Sequence, residues 1–246
     1  MKKPEDKLAE LVRRLQSASG DNLISVVLYG SAARDDFHET YSDVNLLVVL
    51  KEMTSDAFVA LAPVLRWWSH EEHLRPPQFM TLDELRRSAD VFAIELLDIQ
   101  QTHKTLFGND VVTEISVPMN LHRVEVEHEL RVTLLRLRHH MLLHPDDQEQ
   151  MRVVLAKSVS SVVTLLRHAL IALGEAPPHD KRKLLEHAGE VFGFNVAPLR
   201  AVLELRDNPQ GNPDLQALYH AYMSALSRIV REVDMREPKR QLQKIK

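Results

Sequence analysis

VVLYGSAARDDFHETYSDVNLLVVL, residues 26–50, holds two apolar runs around a Gly-Ser turn. The first closes a β-branched run over residues 24–28 and reads as a buried strand. The second, residues 44–50, is apolar almost throughout, the pattern of a strand covered on both faces. Between them Gly30 permits a sharp turn, and Ser31, Ala32, Ala33 and Arg34 predict a short helical turn. Such a corner can bind phosphate, because backbone donors point at the anion and glycine lets it approach closely. Asp43 stands at the mouth of the second strand. Residues two apart on a strand share a face, so Asp43 and Asn45 are expected to project together toward whatever the corner holds. Two carboxylates there would hold Mg²⁺ ions against a triphosphate, with carboxylate and phosphate oxygens completing the octahedron. Asn45 puts an amide where the second acid would stand.

Outward from this stretch, helix and strand signals alternate. Leu8, Leu11, Val12 and Leu15 recur at helical spacing ahead of the turn residues Ser19-Gly20-Asp21-Asn22. Thr54 or Ser55 can cap a helix carrying Phe58, Leu61, Leu65 and Trp68, after which residues 78–80 read as a short strand and residues 83–85 as the start of a minor helix. VFAIELLDI, residues 91–99, reads as a third strong strand, followed by a helical turn ending at Phe107-Gly108. From about residue 121 the signals are helical only. Expected helices are a first through Leu142, ended by His144-Pro145; a second over residues 148–173; a third after Asp180; a fourth capped by Asn195; and a fifth behind Asn212-Pro213. Short loops between helices point to an antiparallel bundle. The expectation is two domains, 1–115 and 116–246.

The 246 residues include 44% apolar types, enough to fill a core in either arrangement. A net charge of −4 gives no global attraction for nucleic acid or anionic lipid, so neither is expected as a partner. The absence of cysteine excludes a disulfide framework, a thiolate metal site and a cysteine nucleophile. MKKPEDKLAE has no apolar run behind its lysines, and no uncharged apolar stretch nears the roughly 18 residues of a membrane span. A cytoplasmic location is the expectation.

Gly30-Ser31, a spacer with Arg34, then Ser42-Asp43-x-Asn45-Leu46-x-Val48 resembles the nucleotidyltransferase fold of the DNA polymerase beta superfamily, whose typical pattern is GS followed by DxD or DxE. The layout is similar to small bacterial nucleotidyltransferases, including the aminoglycoside adenylyltransferases, and to pairings of such a domain with a HEPN-type bundle. The resemblance implies an α+β fold: a mixed sheet with flanking helices, followed by an all-α bundle. It implies an NTP, foremost ATP, on Gly30, Ser31 and Arg34, Mg²⁺ on Asp43, and a hydroxyl acceptor of unknown identity. Family members carry a third carboxylate on a later strand. Here Glu95 and Asp98 are offered, and on a regular strand they face opposite ways, so one alone can serve. Glu95, in Ala93-Ile94-Glu95, is similar to the base-bearing segment of the streptomycin-type enzymes.

Asn45 can offer a carbonyl oxygen to a metal, but with Asp43 the pair carries −1 rather than −2, so a weak or single Mg²⁺ is expected. Three readings follow: an active transferase with Glu95 as general base; a degenerate member serving as a nucleotide-sensing or protein-interaction module, its bundle open to a second copy or a partner protein; and an αβ domain in which Asp43 merely caps a strand. The basic tail from Arg236 has no interleaved aromatics for stacking on bases and reads as a solvated end. His140 with His144, and His70 with His73, lack a third ligand and read as surface. Arg131, Arg136 and Arg138 read as partners for acids such as Glu127 on a wet helix face.

Overall fold

The order of elements follows from where apolar periodicity changes. In the computed structural model residues 4–33, 44–208 and 210–236 are described, so the readings placed on Arg34, on Asp43 and on the tail beyond Arg236 lie outside the described residues. The chain forms two compact units, Met1–Pro118 and Met119–Lys246.

In the first unit, α1 (Pro4–Ser19) buries Leu11 and Leu15 and ends in a 3-10 turn with Gly20 at φ +50°. Strand β1 (Leu23–Tyr29) follows, then β2 (Asn45–Leu50). Helix α2 (Ser55–Arg66) is capped by the Thr54 hydroxyl and continues into a π-helical turn, Trp67–Glu71, which turns both tryptophans into the core. Strand β3 (Gln78–Thr81) leads through a capping box of Thr81 and Glu84 into α3 (Leu82–Arg87). Among the described residues four strands form one mixed sheet, ordered β3-β2-β1-β4, with β2 parallel to β3 and β1 antiparallel to both neighbours. One face, with Val26, Leu28, Leu46, Val48 and Leu50, packs on α1, α2 and the tryptophans. The other, with Val27, Leu47 and Val49, packs on Leu85, Leu96, Ile99, Val112 and Ile115. Burial on both faces explains the near-continuous apolar run of β2.

One segment is the reverse of its sequence reading. Residues 91–99 form no strand: α4 spans Ala93–Gln101, and the strand is β4, His103–Gly108, where a helical turn was expected. Ala93, Leu96 and Ile99 are buried three apart, the period of a helix against a sheet. Gly108 was read as a helix stop but seals the far end of the sheet. Its φ is +74°, and a Cβ there would collide with the Ile24 carbonyl. The swap also corrects the Glu95 and Asp98 argument, since three apart on a helix they are neighbours on one side rather than on opposite faces.

In the second unit α5 (Met119–Leu143), α6 (Gln148–Ala172), α7 (Lys181–Phe192), α8 (Ala197–Asp207) and α9 (Leu215–Met235) pack around α6. Helix α6 is long and apolar enough to cross a membrane, by length and composition only. Its apolarity serves the bundle core: Met151, Leu155, Val159, Val162 and Leu166 are fully buried. Asp180 caps α7 as expected. Asn195 sits one residue before the observed N-cap, Val196, and accepts from the Ala197 N–H from outside the helix, and α9 is capped by Asp214 rather than Asn212. Arg131 pairs with Glu127 at 2.7 Å and with Asp234 at 3.1 Å. The rings of His140 and His144 lie 5.2 Å apart.

Candidate active site

Polar side chains gather at the end of the sheet where β1 stops. Tyr29 is paired with Asn45 on β2 and His103 on β4, and it is half-buried between them. Gly30 then turns the chain at φ +77° into the 3-10 turn Gly30–Ala33, as the sequence predicts. A Cβ on Gly30 would stand 3.3 Å from the Asn45 side-chain nitrogen, so glycine lets the turn lie against Asn45. Its N–H donates to the Thr102 carbonyl at 3.0 Å and is therefore engaged within the fold. Of the Gly30-Ser31 pair expected to bind phosphate through backbone donors, Gly30 contributes shape, and Ser31 follows it in the turn.

A residue that sequence reasoning missed completes the group. The Arg75 guanidinium donates to the Asn45 side-chain oxygen at 3.5 Å, a long contact. The backbone of Arg75 is fixed from the core: the fully buried Trp68 donates its indole N–H to the Arg75 carbonyl at 2.8 Å, and the Leu74 N–H bonds the Trp68 carbonyl at 3.2 Å. His73, at φ +55°, bends the chain between them. Pro76 and Pro77 follow Arg75 directly before β3, and a residue ahead of proline is steered toward extended backbone. A basic residue directly ahead of two prolines was the available signal.

Glu95 lies exposed in the first turn of α4. Burial pushes the Tyr29 phenol above its ordinary pKa, Arg75 opposes the shift and Glu95 adds to it, so both charges act on one ring. Tyr29, Gly30, Asn45 and Arg75 thus stand together at this strand end, and Glu95 opens helix α4, which leads into β4. Behind it His103 is tied between the Ile99 carbonyl at 2.9 Å and Asp110 at 3.1 Å. The Thr113 hydroxyl, His103 and two backbone N–H groups hold the Asp110 carboxyl well below the usual range.

Divalent ions of the Mg²⁺ type need several oxygen donors in an octahedron. Among the described residues no group of three or more acids and histidines could hold one. Asn45 offers a single neutral oxygen, and that oxygen faces a guanidinium. Toward a divalent ion at this position the described residues thus offer the neutral oxygen of Asn45.

Residues 6–117 match the family described as nucleotidyltransferase domain, which spans nearly all of the first unit. The first unit is a nucleotidyltransferase domain. The fold is also similar to that of spectinomycin adenyltransferase AAD(9) from Enterococcus faecialis, solved with ATP and spectinomycin, at 14% identity and a TM-score of 0.56. That likeness covers 90% of this chain and 99% of the other. A nucleotidyltransferase-like protein from Exiguobacterium sibiricum matches at 14% identity and a TM-score of 0.37, over 90% of this chain and 74% of that one. No curated protein matches significantly. Within the nucleotidyltransferase domain, the neighbourhood around Gly30 lies on the stretch that the GS and DxN pattern marks.

Proposed function

We propose that the nucleotidyltransferase domain binds a nucleoside triphosphate, ATP foremost, at the Gly30 end of its sheet and transfers the nucleoside monophosphate to a hydroxyl acceptor. The observation that carries this reading is the convergence of Tyr29, Gly30, Asn45 and Arg75 at one strand end of a unit that matches the nucleotidyltransferase domain family. Ser31 and Arg34 would hold the triphosphate, and a single, weakly held Mg²⁺ would rest on Asp43. The acceptor oxygen attacks the α-phosphorus, the bond to the β-phosphate oxygen breaks, pyrophosphate leaves, and Glu95 takes the hydroxyl proton. Glu95 is exposed and can meet an acceptor arriving from solvent. A small hydroxylated molecule is the acceptor class that the similarity to a spectinomycin adenyltransferase supports.

The amide at position 45 favours a second reading, a domain that binds nucleotide without turning it over and serves as a sensing or protein-interaction module. Calorimetric titration with Mg²⁺ and each NTP, followed by a pyrophosphate-release assay with hydroxylated acceptors including spectinomycin, separates the two. Binding with release supports transfer; binding without release at any acceptor supports the sensor; no binding at millimolar nucleotide overturns both.

A further inference from the structure

We propose that Arg75 takes the place of a second metal ion, its guanidinium supplying the positive charge that a triphosphate meets beside Asn45. The inference rests on the nucleotide-binding reading above and assigns one of the site's cations to the protein itself.

Three observations combine. First, position and charge go together: the oxygen that would ligate an ion in a two-acid site belongs here to a neutral amide, and what faces it is a permanent +1 group. Second, the backbone of Arg75 is built into the core through Trp68 and Leu74 on one side and two prolines on the other, whereas its side chain is exposed. A fixed base under an exposed guanidinium is the arrangement of an anion clamp rather than of a packing residue. Third, at 3.5 Å the contact with Asn45 is too long to hold the guanidinium firmly. Arginine can therefore exchange the amide for phosphate oxygens, which it can bind through two parallel N–H donors.

This arrangement also explains why an amide suits position 45. A carboxylate there would form a charge-assisted pair with Arg75 and occupy the group that would otherwise meet the nucleotide. Asn45 orients the guanidinium without neutralising it. Glu95, whose charge also reaches Tyr29, supplies the opposing sign on the α4 side. Asn45 and Arg75 thus act as one device. An acid at position 45 alone would not create a two-metal site.

The test is equilibrium binding of ATP and of inorganic triphosphate to the full chain, each measured in Mg²⁺ and in EDTA. The parent is expected to keep its affinity in EDTA to within about tenfold of that in Mg²⁺. Arg75→Gln should weaken both ligands about ten- to hundredfold in EDTA, the range of a lost charge-assisted bond pair, with an unchanged thermal midpoint. Arg75→Lys should restore part of the loss. Asn45→Asp should weaken binding in EDTA while Arg75 is present, and the double variant Asn45→Asp with Arg75→Gln should bind only in Mg²⁺. If the parent binds and Arg75→Gln binds equally well, the inference falls and the nucleotide reading stands. If the parent binds neither ligand in either condition, both fall.

Discussion

The two units treat their polar groups in opposite ways. In the nucleotidyltransferase domain Asn45, Arg75 and Glu95 stand at a strand end, with Arg75 and Glu95 exposed and the one contact between Asn45 and Arg75 long. In the helical unit the notable polar groups lie inside and are tightly bonded. His122 and His168 are fully buried and 2.9 Å apart, the Tyr219 hydroxyl donates to the Leu137 carbonyl at 2.6 Å, and Ser158 bonds the Tyr222 hydroxyl at 3.1 Å. Interior groups bonded to one another specify packing, while loosely held groups at a rim can exchange partners with a ligand. The difference assigns chemistry to the first set and architecture to the second.

The sharpest way to break that contrast is to exchange the consequences. Glu95→Gln should lower transfer about 10²- to 10⁴-fold, the usual contribution of a general base, and leave stability and ATP affinity near the parent's. A loss of folding instead would make Glu95 structural. His168→Ala, in contrast, should cost about 2–4 kcal/mol in chemical denaturation, from a cavity and a broken buried bond, and leave ATP affinity unchanged. Unchanged stability would remove the His122–His168 pair from the architecture.

Titration should separate the units at opposite ends of the pH scale. Asp110 has a folded pKa below its unfolded value, so its stabilisation is present above the ordinary carboxylate range and is lost as pH falls through the folded value. Tyr219, fully buried, is pushed up to about 12 by burial; its contribution is complete below the unfolded value near 10 and disappears as pH rises through about 12. Both tryptophans lie in the first unit, so indole fluorescence should report the acid loss. Helical circular dichroism should report the alkaline one. The smallest expected effect is Thr81→Ala, which removes a capping box and should cost about 1 kcal/mol, read by the same fluorescence.

Much of the fold was legible because β1, β2 and the five long helices carry their burial in their spacing. Residues 91–99 were not, since Ala93, Ile94, Leu96 and Ile99 fit a buried strand as well as one helix face, and a short apolar run does not distinguish them by period. The swap with β4 puts Glu95 in the exposed first turn of α4, where the Glu95→Gln variant tests its role. Arg75 was missed for a different reason, the basic residue ahead of two prolines being a weak signal. Its placement depends on the indole of Trp68 and on a left-handed turn at His73, neither of which a linear pattern encodes. Cap assignments at Asn195 and Asn212 slipped by one or two residues because a neighbouring residue competes at each helix start.

The assignment of chemistry to the rim of the first unit is tested most directly by hydrogen–deuterium exchange of the full chain, with and without saturating ATP. The account predicts protection in peptides covering Tyr29 to Ala33, the start of β2 and the segment around Arg75, with Gly30 and Asn45 inside the protected region. Protection confined to α5–α9, with the strand end at Tyr29 exchanging as in the free protein, would contradict it.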